Sequence, residues 1–190
     1  MPAHTIDRTS ARERLLAAAD ELFYEEGVHT VGIDRVIEHA GVAKATLYSA
    51  FGSKDELIRA YLERRHVRRQ ERITAGLTRF TTPRERLLGV FDLLAELMAE
   101  PGFRGCAFAN ASAESQPGGV VETVSTESRA WTRALFAELA AAAGATAPGV
   151  LAGQLMMLYD GAMTAARMDS NRGAAQAARA AAAALLDTAT

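Results

Sequence analysis

Apolar positions recur along this chain at spacings of three and four, the period of a helix that buries one side. Leu15, Leu16, Ala19, Leu22 and Phe23 form one such stripe and predict a first helix over about 10–26. Ser10, with Glu13 three residues on, has the form of a capping box, and Gly27 ends the element. Ile33, Val36 and Ile37 predict a short second helix over 33–40, with a turn at Gly41. A third short helix covers about 44–50, with Leu47 and Phe51 facing inward. Ser53-Lys54-Asp55-Glu56 repeats the capping pattern. It opens a long fourth helix that carries Leu57, Ile58, Tyr61 and Leu62 and extends toward Phe80.

The second half repeats the period in longer elements. Thr82-Pro83-Arg84-Glu85 combines a cap, proline at the first helical position and glutamate at the third. The fifth helix that follows has Leu87, Leu88, Phe91, Leu94 and Met98 on one face and stops at Pro101-Gly102. A sixth helix is predicted over about 104–115, a loop at Gln116-Pro117-Gly118-Gly119, and a seventh helix over about 121–143. An eighth covers about 148–168, and a ninth, capped by Asn171, runs to about 186. The expected fold is therefore all-α, with about nine helices. A three-helix helix-turn-helix head over 1–56 sits on a larger helical body over 57–190.

Composition sharpens this picture. Of 190 residues, 49% are hydrophobic and 23% charged, enough for a packed core. Alanine, leucine, arginine and glutamate dominate, which favours helix over sheet. The single Cys106 excludes an internal disulfide framework and fits a reducing, cytoplasmic setting; it reads as a packed thiol rather than a redox sensor. The N-terminus has no apolar leader, and no apolar run reads as a membrane span. His4, His29, His39 and His66 share no metal-ligand spacing. No nucleophile elbow or glycine-rich phosphate loop is present. No catalytic residue, metal or cofactor is expected.

Charge then picks out one segment. Only two of the 21 basic residues are lysines, Lys44 and Lys54, and they flank the third helix. Lys44 and Thr46 open that helix, where side chains of a recognition helix reach base edges. Tyr48 and Ser49 follow on the side away from Leu47. Lys54 stands in the first turn of the fourth helix, where free N–H groups and the helix dipole already favour a phosphate. Against this, the first 66 residues hold nine Lys/Arg and 11 Asp/Glu, so any DNA affinity rests on local placement of charge. Residue types alone leave open a helical hairpin with solvated lysines. The run Arg64-Arg65-His66-Val67-Arg68-Arg69-Gln70-Glu71-Arg72 lies far along the fourth helix and reads as a solvated or salt-bridged face.

The spacing of Ala18, Leu22, Phe23, Gly27, Ile33, Val36, Ala40, Gly41, Val42, Thr46, Leu47, Tyr48, Phe51, Ser53, Lys54 and Leu57 resembles the N-terminal domain of TetR/AcrR-type transcriptional regulators. The resemblance covers about the first 60 residues. It implies that Lys44, Ala45 and Thr46 approach DNA and that Tyr48 and Lys54 bind phosphates, with Ser49 on the same face. The chain departs from the family pattern at Val31-Gly32, Ala43, Ala45, Ser49 and Ala50, which shrinks the contact surface and leaves the operator sequence open.

The resemblance further implies a homodimer on a double-stranded palindromic operator and a body that binds a small-molecule effector, as in a ligand-relieved repressor. Small residues in the helices near 148–168 and 171–187 suit close packing against a partner copy. Polar groups among apolar ones mark effector candidates: Phe108, Asn110, Glu114, Trp131, Met157, Tyr159, Asp160 and Met163. Asp160 is expected to pair with an arginine of another helix. Two other readings stay open on residues alone: a DNA-binding dimer that answers to a protein partner or to no ligand, and an all-α enzyme without a recognisable motif.

Overall fold

The structure, a computed structural model, describes residues 10–171 and 173–190; His4 lies outside them. These residues form nine α-helices and no strand: α1 Ala11–Glu26, α2 Ile33–Ala40, α3 Lys44–Phe51, α4 Lys54–Leu77, α5 Pro83–Ala99, α6 Ala107–Glu114, α7 Val120–Ala142, α8 Pro148–Met168 and α9 Ala174–Ala189.

Local chemistry sets most of these ends. Ser10 Oγ accepts from Glu13 N, and Ser53 Oγ from Glu56 N, each at 3.1 Å. At α5 the box closes in both directions. Glu85 N donates to Thr82 Oγ1, and Thr82 N donates to the Glu85 carboxylate at 2.9 Å. The Thr82 backbone and then the Thr81 hydroxyl hold that carboxylate down at about 2. Gly41 takes the left-handed conformation (φ 62°), which a side chain would strain, and turns α2 into α3.

Three boundaries differ from the periodic pattern. α4 stops at Leu77, not near Phe80, because Thr78 bonds back to Ala75 O through both its N–H and its hydroxyl. Phe80 then turns onto α5, and a Cβ at Gly89 would stand 2.4 Å from its ring. α6 begins at Ala107, not near Arg104, because Arg104 N donates to Tyr24 Oη, and Tyr24 Oη donates to Gly105 O. α9 begins three residues after Asn171, whose Oδ1 accepts from Gly173 N at 3.0 Å.

Two apolar cores form. One joins α1, α2, α3 and the start of α4 through Leu15, Phe23, Leu47, Leu57 and Leu62. It also takes in Phe108 and Ala111 of α6 and Val121 and Val124 of α7. The other joins the far end of α4 to α5, α7, α8 and α9 around Phe91, Phe136 and Tyr159. α4 thus runs from one core into the other. Between them its arginines pair with carboxylates: Arg64 with Glu13, Arg65 and Arg68 with Asp20 at 2.6 and 2.8 Å, and Arg72 with Glu100. This is the salt-bridged face that the charge run predicts.

Candidate DNA-reading head and body cavity

α3 has no side-chain cap, since Ala43 at its N-cap offers no acceptor. A lost cap costs about 1 kcal/mol, whereas burying a leucine contributes about 1.5–3 kcal/mol. Leu47, with 0% exposure, therefore decides how the helix lies. Its neighbours follow from the helical turn. Ala45 and Ser49 lie opposite Leu47 and are exposed. Lys44 and Tyr48 are exposed along one flank, and Thr46 is half-buried on the other. Phe51, under the Arg12 guanidinium at 4.8 Å, closes the C-terminal end.

Lys44 Nζ donates to Asp34 Oδ1 of α2 at 2.9 Å, which raises the ammonium's pKa. Both side chains are exposed, so the pair is weak and open to exchange with another anion. Lys54 is the first residue of α4, beside the Ser53 cap. Partial burial lowers its pKa, with Asp55 and Glu114 acting the other way. The structure thus gathers all six sequence candidates of the head, Lys44, Ala45, Thr46, Tyr48, Ser49 and Lys54, around α3 and the start of α4.

The body holds a cavity of about 500 Å³ walled by α4, α6, α7 and α8. Phe108, Asn110, Tyr159, Asp160 and Met163 line it, together with Met156. Asp160 pairs with Arg129 of α7 at 2.8 Å, as its sequence setting predicts, although both side chains are part-exposed rather than buried. Asn110 Nδ2 donates to Arg104 O at 3.0 Å, so its amide is partly committed to the backbone. Burial raises the pKa of the Tyr159 phenol.

Three sequence candidates do not line this cavity. Glu114 turns toward the head: its Oε2 accepts from His29 N at 2.9 Å, and a Cβ at Gly27 would stand 2.5 Å from its Oε1. Trp131 sits edge-on to His66 of α4 at 5.9 Å. His66 Nδ1 is buried without a hydrogen bond, and burial and Arg69 lower the ring's pKa. Met157 points outward with 69% exposure. Sequence reasoning did not select Arg69 or Arg167 for the wall. Arg69 carried a signal: it falls in register with Leu62, Ile73 and Leu77 on the inward side of α4.

A sequence model of the bacterial regulatory proteins of the tetR family matches residues 15–61, most of the head. A TetR-family transcriptional regulator from Streptomyces coelicolor is similar over 94% of this chain and 95% of its own, at 34% identity and a TM-score of 0.89. A TetR-type regulator from Streptomyces avermitilis is similar over 95% of this chain and 98% of its own, at 32% identity and a TM-score of 0.80. The transcriptional activator FasR of Mycolicibacterium smegmatis is 38% identical over 82 residues, which is 43% of this chain. The match spans only 37–39% of the length of such curated relatives. No helix among the described residues is long and apolar enough to cross a membrane. With the head matched in sequence and head and body together matched in structure, the chain belongs to the TetR family of DNA-binding transcriptional regulators, not to a class of enzymes.

Proposed function

We propose that this regulator is a repressor that binds a palindromic operator as a homodimer and releases it when a small molecule fills the body cavity. Residues 1–56 read DNA, and residues 57–190 sense the ligand and dimerise. The exposed face of α3 next to the start of α4 carries this reading. Lys44, Ala45 and Thr46 approach base edges, with Ser49 beside them, while Tyr48 and Lys54 hold phosphates. The small side chains at 45 and 49 let the helix enter a major groove closely.

Two further observations support the assembly and the switch. On α8, Val150, Gly153, Met157 and Gly161 follow one another along a single outward stripe. A Cβ at Gly153 or Gly161 would meet nothing within this protomer. A mid-helix glycine costs roughly 0.5–1 kcal/mol against alanine, and close approach of a second copy offsets it. On α9, alanines 177, 181 and 184 are likewise exposed small side chains that suit close approach of a second copy. For the switch, α4 carries Lys54 at its start and cavity-lining Arg69 fifteen residues on, about 22 Å along the axis. A ligand that shifts α4 changes the spacing of the paired heads, which must fit half-sites about 34–36 Å apart or a multiple of that.

Footprinting on DNA flanking the chain's own gene tests the reading. The expected result is a protected two-fold-symmetric site overlapping a promoter, with transcription from it reduced. Protection of a single half-site overturns the dimer, and increased transcription overturns repression in favour of activation, the action FasR is named for.

A further inference from the structure

The cavity wall carries a charge imbalance that the rest of the molecule does not share. The chain as a whole has a net charge of −2. Three arginines line the cavity, Arg69, Arg129 and Arg167, against the single carboxylate of Asp160. That carboxylate is already paired with Arg129. Arg69 and Arg167 have no carboxylate partner among the described residues.

Arg69 stands out on its own helix. Its neighbours Arg64, Arg65, Arg68 and Arg72 each reach a glutamate or aspartate. Arg69 reaches only neutral groups: Ser128 Oγ at 3.1 Å, Cys106 Sγ at 3.7 Å and the Phe108 ring, whose centroid lies 4.7 Å from its guanidinium carbon. A guanidinium has five N–H donors in a planar fork, and a thiol is a weak acceptor. Most of the donors are left for something else. The group is half-buried against apolar surface, where an unbalanced charge is costly and an added anion is held strongly. Beside it, Phe108, Met156 and Met163 give the wall an apolar stretch, while Asn110, Arg129, Asp160 and Arg167 supply its polar part.

We infer that the effector is an amphipathic organic anion, a single carboxylate on an apolar body, whose carboxylate is taken by Arg69 while the body lies along Phe108, Met156 and Met163. This inference rests on the effector reading of the cavity. The carboxylate supplies the counter-ion that Arg69 lacks and draws it from Ser128 of α7, so binding acts directly on the α4–α7 contact.

Isothermal titration of the full-length protein without DNA tests this, with decanoate, decan-1-ol and decylammonium as probes of equal length and different head charge. Decanoate is expected to bind at least about ten-fold more tightly than decanol, the scale of a charge-assisted hydrogen bond in a site shielded from water, and decylammonium most weakly. Arg69→Met is expected to remove the preference for decanoate over decanol while decanol binding persists. Ser128→Ala, which frees Arg69 of its hydroxyl partner, is expected to tighten decanoate. Decanol or decylammonium binding as tightly as decanoate overturns the inference and leaves the effector cavity standing. No binding by any probe overturns both. Decanoate that binds as expected but leaves operator affinity unchanged at saturation upholds the anion site and overturns ligand relief.

Discussion

At Lys54 a cation, a helix start and partial burial act on one short segment. Lys54 is the first residue of α4, so its ammonium is carried by the helix end whose dipole and N–H groups favour an anion. The Ser53–Glu56 cap does not involve the lysine side chain, so its removal leaves the helix start intact. Lys54→Ala is expected to weaken binding to all DNA sequences alike and to reduce the slope of log affinity against log salt by about one. Affinities measured over a salt series check this, and an unchanged slope removes Lys54 from the phosphate contacts. Lys44 differs at the same scale. Its ammonium already has an exposed partner in Asp34, and moving from that carboxylate to a base edge exchanges one wet interaction for another.

At the scale of elements, α6 is fastened to the head at both ends. Before it, Tyr24 of α1 holds Arg104 N and Gly105 O. At its other end, Glu114 accepts from His29 N, and Ser115 Oγ lies 3.1 Å from His29 Nε2. Between these ends Phe108, Asn110 and Ser112 line the cavity. A displacement of α6 therefore reaches the α1–α2 turn without passing through α4. Glu114→Ala is expected to leave helix content unchanged and to speed amide exchange at His29 and its neighbours several-fold, with α5 and α9 unaffected. Hydrogen–deuterium exchange reads this directly. Unchanged protection at His29 means the Glu114 contact does not hold the turn.

For the whole molecule, the proposed dimer requires one surface to meet a second copy. The small-residue pattern of α8 and α9 alone does not distinguish inward from outward alanines. Ala178 is one of the inward ones, with 7% exposure in the core shared by α5, α8 and α9. A charge there breaks the protomer. Met157 and Ala181 lie on the outward face. Met157→Glu and Ala181→Glu are each expected to give a helical monomer by light scattering, whereas Ala178→Glu is expected to lose helical signal. Dimers persisting in both outward variants place the interface elsewhere.

What the sequence alone determined is local. Helix stripes, the serine and threonine caps, the glycine turn at 41 and the placement of Lys44 and Lys54 depend on residues within a few positions of one another, and their chemistry survives translation into structure. That Asp160 meets an arginine was expected from its apolar neighbours, but which arginine it meets was set by the packing of α7 on α8, which leaves both side chains part-exposed. What tertiary structure decided is everything that depends on which helices meet. Trp131 reads as a cavity residue but packs on His66, because the register of α7 against α4 sets its neighbour. Glu114 reads as a ligand group but serves the head, because the end of α6 abuts the α1–α2 turn. Arg69 stands in a charged run, and only its register with Leu62, Ile73 and Leu77 sets it apart there as inward-facing. Only the convergence of α4, α6, α7 and α8 leaves it facing a cavity with neutral partners while its neighbours find carboxylates. Burial and pairing are properties of long-range contacts, and no window of the sequence contains them.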